Sequence, residues 1–476
     1  MVRTKFVAVL LGPSGVGLVG LYQSATNLVG TISSLGIGQS GVREVAEAHG
    51  SNNEDKIGRT VQVLRRVCWL TGLLGWLLAG ALAWPLSLWA FKSGDRAWAI
   101  AMLGLTLLLG SISGGQTALI QGLRRIGDLA RLNVLSVIAG TLVSLSLYAW
   151  LGEKGIVPVL VLLAAANLGF SWWFARRIRI SKVAVTWRET GREASRLISL
   201  GTAFMWSGLL TAGVAMAAQS LIFRTLGSDA NGIYQAAWSL SGIFAGFILT
   251  AMGADFYPRL TAAAADNDQV NRLVNEQTEI GLLLALPGLL GTLVLAPWII
   301  RIFYTAKFAP AADLLPLFVL GVFGRAISWP LGFIQLAKGA SRWFAATETA
   351  ANALHIVLIW LGLRWFGLAG VALAFAILYA CYTLAMLWVA SRLSHFRWSH
   401  AAKRLLTLAA LLVAATFALR KLAPELPAAV CGALVSLGTA FYCIREIAVR
   451  LGPEHRISRT LLRFPLIGQK LCAWKQ

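Results

Sequence analysis

Acidic side chains are scarce in this chain, with 20 Asp and Glu among 476 residues against 42 Lys and Arg. Charge of either sign is thin, at 13% of residues, where soluble domains carry about a quarter. There are five cysteines (Cys68, Cys381, Cys431, Cys443 and Cys472), none in a CxxC pair and four of them in apolar runs. They read as small core residues, which excludes a disulfide scaffold and a structural metal site. The chain contains no P-loop, no HExxH helix and no GxSxG elbow, so the common hydrolase and transferase constellations are missing. No connection between apolar runs is long enough to form a soluble catalytic domain. An ordinary cytosolic enzyme, a secreted disulfide protein and a disordered chain are all excluded, and nothing calls for a cofactor.

What the chain has in abundance is apolar sequence: 57% of residues are AVILMFWYC and mean hydropathy is +0.70. At about 20 apolar residues per crossing this predicts an all-α polytopic membrane protein. Apolar runs place crossings near 16–40, 67–91, 97–121, 132–151, 155–175, 199–223, 232–257, 280–303, 312–337, 344–365, 367–390, 403–420 and 427–444. Residues 1–11 read as the end of a helix whose beginning is missing. With the Gly12–Gly17 turn outside and alternation thereafter, 30 Lys and Arg fall on inside segments and 9 on outside ones. That asymmetry follows the positive-inside rule and puts the basic segments beside anionic lipid rather than nucleic acid. Trp84, Trp89, Trp98, Trp150, Trp298 and Trp365 cluster near span ends as interfacial anchors.

The charge pattern also divides the chain. Residues 176–198 form a basic inside linker between an N-terminal bundle (1–175) and a C-terminal bundle (199–391), and 392–476 hold two further helices and a basic tail. A repeat links the halves: Leu11-Gly12-x4-Gly17 and Leu226-Gly227-x4-Gly232 each connect an outgoing helix to a returning one. Two pseudo-symmetric six-helix bundles around a central cavity are the expected architecture.

Within the spans, few residues can carry chemistry. Arg325 lies roughly 18–20 Å from the nearest charges along its helix, Asp313 and Lys338, near mid-membrane. Its charge cannot be neutralised and costs at least ~2.5–3.5 kcal/mol at the bilayer centre. It must face a wet cavity or an ionic partner. Pro330, one turn on, removes a backbone bond and favours a kink, either a gating hinge or a static bend. Glu348, Asn352 and His355 share one helix face, suited to proton exchange or to pairing Glu348 with a nearby Arg. Gln23 and Asn27, with Gly30 and Ser34, form a neutral polar face suited to sugar hydroxyls or to helix packing. Asp255 and Arg259 are an i, i+4 salt bridge or part of an inner gate.

Several stretches resemble one family. Lys5-Phe6-Val7-Ala8-Val9-Leu10-Leu11-Gly12-Pro13-Ser14-Gly15-Val16-Gly17 is similar to the first helix end and outer turn of Wzx-type O-antigen translocases, in the polysaccharide branch of the multidrug/oligosaccharidyl-lipid/polysaccharide exporters. Gly253-Ala254-Asp255-Phe256-Tyr257-Pro258-Arg259-Leu260, Lys307-Phe308, Asp313-Leu314-Leu315 and Ala337-Lys338-Gly339-Ala340-Ser341-Arg342-Trp343-Phe344 with Glu348 resemble later motifs, so that the similarity spans residues 2–390. The resemblance implies a transporter rather than an enzyme. It implies a flippase for undecaprenyl-pyrophosphate-linked oligosaccharide in the bacterial inner membrane, working beside a polysaccharide polymerase and a chain-length regulator. It assigns pyrophosphate binding to Arg325, Lys5 and Arg224, and inner-end roles to Lys338, Arg342 and Glu348. Family members carry about twenty more N-terminal residues, which implies a start assigned too late here, and the helices after residue 400 are a departure. Other readings are a lipid II flippase or ion-coupled exporter of the same superfamily, and a membrane polysaccharide polymerase or ligase. The basic mid-membrane charge argues against a cation exporter, and the short outer loops argue against an enzyme.

Overall fold

The computed structural model describes residues 2–51, 53–181 and 183–451. The tail residues Arg456, Arg459, Arg463, Lys470, Cys472 and Lys475, and Lys182 in the linker, lie outside the described residues. Among those described the fold is all-α, in fourteen helices: α1 (Val2–Ser34), α2 (Ile37–Gly50), α3 (Glu54–Ala81), α4 (Ala83–Phe91), α5 (Ala97–Gly122), α6 (Ile126–Leu151), α7 (Ile156–Ala175), α8 (Trp187–Ala262), α9 (Asn267–Val294), α10 (Ala296–Phe303), α11 (Ala311–Ala337), α12 (Ser341–Ser394), α13 (His400–Leu422) and α14 (Glu425–Leu451).

Ten helical stretches are long and apolar enough to cross a bilayer. Besides 3–34, which turns at Gly12 after an arm too short to cross, three of these, 126–175, 205–243 and 341–394, contain a positive-φ glycine: Gly152, Gly227 and Gly367. Straight, the 54 residues of the longest would extend roughly 80 Å, far beyond a ~30 Å hydrocarbon core. The chain instead folds back at the glycine. Across Gly367, a Cβ on Gly370 would collide with the Gly362 carbonyl, so the two arms of α12 touch backbone to backbone. Divided at these glycines, the ten stretches give the thirteen expected crossings.

The apolar runs locate the crossings but not where the helices begin. The run read as 280–303 covers α10 and the second half of α9, a helix that starts at Asn267, where Asp266 accepts from the Asp268 and Gln269 amides. The run read as 67–91 starts at Glu54 behind the same kind of cap, with Asn53 accepting from Asp55 and Lys56. Each cap satisfies orphan amides outside the apolar stretch, so the helix extends about three and a half turns beyond it. All six of the tryptophans assigned to span ends are exposed.

The internal repeat is deeper than the two glycine motifs suggest. Gly227 follows Gly12 by 215 residues, and their backbones agree (φ 64°, ψ −171° and φ 90°, ψ −179°). Gly367 follows Gly152 by the same 215, again with matching angles (φ 59°, ψ −139° and φ 56°, ψ −134°). Only glycine occupies such regions readily. The contact beneath these turns repeats too: a Cβ on Gly155 would lie 3.0 Å from the Leu147 carbonyl, the counterpart of the Gly370–Gly362 approach. α5 and α11 end 215 residues apart, and α6 and α12 begin 215 apart.

The chain forms two compact units. One comprises residues up to Gln235 with Phe303–Phe308; the other comprises Ala236–Ile302 and the residues from Ala309 onward. The first holds two apolar cores, one around Leu21, Ile100, Leu103 and Met216 and one around Leu64, Leu119, Ile120 and Leu132. The described residues between α7 and α8, 176–181 and 183–186, form no helix, and this linker is tied to α3. Ser181 donates to the Glu54 carbonyl (2.7 Å), Arg66 to the Val185 carbonyl (2.8 Å), and Arg59 to Glu189 (2.5 Å). The Thr186 amide and hydroxyl, followed by Arg59, hold the Glu189 carboxyl below its ordinary pKa.

In the second unit, one apolar core is built on Phe256, Leu260, Leu331 and Ile334. The helices after residue 400 are anchored by a pair that the apolar-run reading does not reveal. Glu279, nearly buried on α9, accepts from Arg450 on α14 (2.5 Å) and from the Ser399 hydroxyl ahead of α13 (3.0 Å). Removing one partner of a fully buried pair costs about 3–5 kcal/mol. The Arg450 side chain is 34% exposed, so screening reduces this to roughly 1–3 kcal/mol for Arg450→Ala. Thermal unfolding in detergent is expected to report that loss, and adding Glu279→Gln is expected to restore part of it by removing the orphaned charge. An unchanged Tm for Arg450→Ala would mean the pair does not anchor α14.

Candidate functional site

α11 is an interior helix. From Leu314 to Ala337 every residue is buried or partly buried except one, Arg325. A helix lining lipid shows a row of exposed apolar side chains, as α13 does at Leu408 and Leu411. α11 has no such row, so the face that carries Arg325 is not one built to meet acyl chains. The guanidinium makes no hydrogen bond or ion pair with any described residue. Pro330 is buried and α11 is continuous across it.

The neighbours of Arg325 come from α12. Tyr379 and Tyr382 both feel the fields of Arg325 and Glu348, and the Tyr382 hydroxyl donates to Glu348 Oε1 (2.9 Å). Asn352 donates to the Glu348 backbone carbonyl (2.8 Å). His355 stands 5.9 Å, ring to ring, from Phe375. Glu348, Asn352 and His355 are partly buried, whereas Leu354, Ile356, Val357 and Trp360 on the other side of the helix are exposed. The polar stripe therefore turns away from the lipid-suited face, as unsatisfied polar groups in hydrocarbon must. The result is a guanidinium, a carboxylate and two phenols in one locality. Sequence reading misses Tyr379 and Tyr382, because aromatics in an apolar span look like packing; their spacing from Phe375 (i+4, i+7) is the one available signal.

The first unit contains the other basic candidates. Lys5 donates to the Tyr304 carbonyl. Arg224 is exposed at the end of its helical arm, with Nη1 3.4 Å from the Trp89 carbonyl, while Lys92 donates to the Arg224 carbonyl (3.1 Å). Gln23 is partly buried and Asn27 exposed on α1. In the second unit Asp255 and Arg259 form an exposed i, i+4 bridge (3.2 Å). Lys338 closes the α11 terminus onto the Ala264 carbonyl (3.0 Å) and Asn267 Oδ1 (2.6 Å), and Arg342 is exposed.

The two repeated turns also meet. Asn231 donates to the Gly17 carbonyl (2.8 Å), and Ser14 donates to Ser228 (3.1 Å). A Cβ on Gly232 would collide with the Pro13 carbonyl, and one on Gly17 would collide with the Ser228 carbonyl and lie 2.8 Å from the Gly232 amide. Here glycine is required by close approach rather than by φ. At and beside this contact, polar atoms are buried without partners among the described residues: Asn231 Oδ1, and Gln219 Oε1 and Gln235 Oε1, whose side chains lie against Gly20. Such orphans are costly, of order 1–3 kcal/mol each, and fit a joint made to part.

Residues 6–313 match the family described as polysaccharide biosynthesis protein. The lipid III flippase of Escherichia coli (strain K12) is 24% identical over 402 residues, covering 79% of this chain and 90% of the flippase. Among solved structures, an inward-facing MATE family multidrug transporter of the MOP superfamily matches with TM-score 0.69 and 15% identity over 83% of this chain and 93% of that one. The lipid II flippase MurJ in an inward closed conformation matches with TM-score 0.60 and 14% identity over 91% and 97%. At such identities the solved structures establish the fold: an all-α transporter architecture.

Proposed function

The chain belongs to the polysaccharide biosynthesis protein family, and from that membership we propose that it is a flippase for a lipid-linked glycan precursor. The specific cargo we propose is an undecaprenyl-pyrophosphate-linked oligosaccharide repeat unit of O-antigen or a related surface polysaccharide. The direction is from the cytoplasmic to the periplasmic leaflet of a bacterial inner membrane. The similarity to a lipid III flippase over most of both chains supports a lipid-linked cargo. The observation that carries the reading is Arg325, the single exposed side chain of α11 beyond Asp313 and a cation without a protein partner among the described residues.

A hydrated glycan cannot cross hydrocarbon, because each unsatisfied polar group costs several kcal/mol. A wet path bordered by protein carries the glycan and its charged link while the polyprenyl tail stays in lipid. Arg325 offers the pyrophosphate a rigid bidentate fork. Lys5 and Arg224 are the further pyrophosphate candidates that the resemblance assigns, and Lys5 would then share or leave the Tyr304 carbonyl. Gln23 and Asn27 suit sugar hydroxyls. Glu348, His355, Asp255, Arg259, Lys338, Arg342 and Pro330 remain candidates for gating or ion coupling. An inside-negative potential favours outward movement of anionic charge by about 2.3 kcal/mol per charge per 100 mV. Anionic lipid, a polymerase and a chain-length regulator are the partners this role implies.

The test is leaflet accessibility of a defined lipid-linked glycan in proteoliposomes. A flippase changes its leaflet and leaves its mass unchanged. A changed mass would make the protein an enzyme, and no movement of lipid-linked glycans of several compositions would overturn the reading.

A further inference from the structure

A cavity of about 1060 Å³ lies wholly within the first unit, between α3, α5, α7 and the linker that follows α7. Its lining is graded along the helices. At one end are Arg65, Arg176, Gln62 and Ser181; next come the indoles of Trp69 and Trp172, and farthest from the charges the walls are Leu109, Leu168 and Ala165. From Arg176 to Ala165 is eleven residues, or roughly 16 Å, close to one leaflet of a ~30 Å hydrocarbon core. No lining residue is acidic. The Arg176 guanidinium stacks on Trp172 (4.9 Å), and neither Arg65 nor Arg176 has an ion-pair partner among the described residues. Trp69 and Trp172 are 57% and 54% exposed, and Leu70, Leu73 and Leu77 continue an exposed apolar face along α3, so the cavity opens on the side of the unit suited to lipid. A Cβ added to Gly169, which lines the trough, would meet nothing within 4 Å.

We infer that this cavity is a binding site for one anionic glycerophospholipid of the inner leaflet, its phosphate between Arg65 and Arg176 and an acyl chain along the trough of α5 and α7. Two guanidiniums without acidic company complement a phosphate headgroup, and the trough matches the depth of a single leaflet. A lipid-linked glycan fits less well. The uncharged polar side chains of the lining are Gln62, Gln116, Ser181 and Cys68, and Gln116 is already engaged by the Ser171 hydroxyl (2.7 Å), which leaves too few partners for a row of sugar hydroxyls. The site is independent of which glycan the protein carries. The lipid would also brace the linker, since Ser181 and Ile180 border the same cavity.

The experiment is native mass spectrometry of the full chain in detergent, titrated with phosphatidylglycerol, phosphatidylethanolamine or undecaprenyl phosphate. The expected result is one phosphatidylglycerol held at least tenfold more tightly than phosphatidylethanolamine. Arg65→Ala/Arg176→Ala is expected to weaken it tenfold or more, and Gly169→Leu, which fills the trough without removing charge, is expected to weaken binding of phosphatidylglycerol and phosphatidylethanolamine alike. Arg179→Ala, a loss of charge on the same linker outside the lining, is expected to leave it unchanged. Equal affinity for the two phospholipids, or equal loss in Arg179→Ala, would overturn the inference. Displacement of phosphatidylglycerol by substoichiometric undecaprenyl phosphate would reassign the cavity to the transported lipid. Binding is read without transport, so failure here leaves the proposed function standing.

Discussion

Arg325→Ala is expected to reduce glycolipid flipping in proteoliposomes by roughly 30- to several-thousand-fold, with expression, insertion and thermal stability near wild type. The range follows from the ~2–5 kcal/mol lost when one member of a desolvated charged pair is truncated, at 1.36 kcal/mol per factor of ten. Stability should hold because no ion pair among the described residues is broken: the guanidinium stands exposed on an otherwise covered helix. Arg325→Lys keeps the charge but loses the bidentate fork, so an intermediate rate is expected, and a glutamine should behave like alanine. The alternative role for Arg325 is structural, a distant counter-charge to Glu348 through Tyr379 and Tyr382. It predicts a different pattern: Arg325→Ala would lower Tm, and the double change with Glu348→Gln would recover both Tm and flipping. Wild-type flipping by Arg325→Ala would end the pyrophosphate assignment outright.

How much of this was legible in the sequence follows from the range of the interactions involved. Crossings are readable because hydropathy is a local sum. The stripe of Glu348, Asn352 and His355 is readable because a helical period fixes their common face, and the structure turns that face away from the exposed Leu354, Ile356 and Trp360. The starts of α3 and α9 are not readable from apolar runs, since their first turns are polar and held by Asn53 and Asp266. The Glu279–Arg450 pair joins positions 171 residues apart, and nothing local at either residue announces the other. The repeat shows an intermediate case. Gly12 and Gly227 stand out by motif, whereas Gly152 and Gly367 carry only a shorter Gly-x2-Gly and are matched by backbone angles and by the shared contact beneath them. For Arg325 the sequence sets the alternatives, a wet cavity or an ionic partner. It could not choose between them, because burial around one side chain depends on every helix packed near it.

The joint between the two repeated turns gives the second large effect. Ser14 and Ser228 hydroxyls are 3.1 Å apart, so cysteines there need about 1 Å of approach to reach a ~2.05 Å disulfide. With the native cysteines replaced by alanine, Ser14→Cys/Ser228→Cys is expected to cross-link nearly completely under mild oxidation. If the turns part during transport, as the buried unpaired Gln219, Asn231 and Gln235 oxygens suggest, the oxidised protein should flip no glycolipid, and a reductant should restore the rate. Gly232→Val attacks the same joint from the other direction: its side chain cannot share space with the Pro13 carbonyl, so the turns are held apart, the cross-link fails to form and transport falls. If the proposed alternating access works through this joint, it requires both of its states, and only that requirement predicts that locking it shut and propping it open are each inhibitory. Full activity in the cross-linked protein would make the glycine contact a static seam, and the opening would then have to be sought elsewhere.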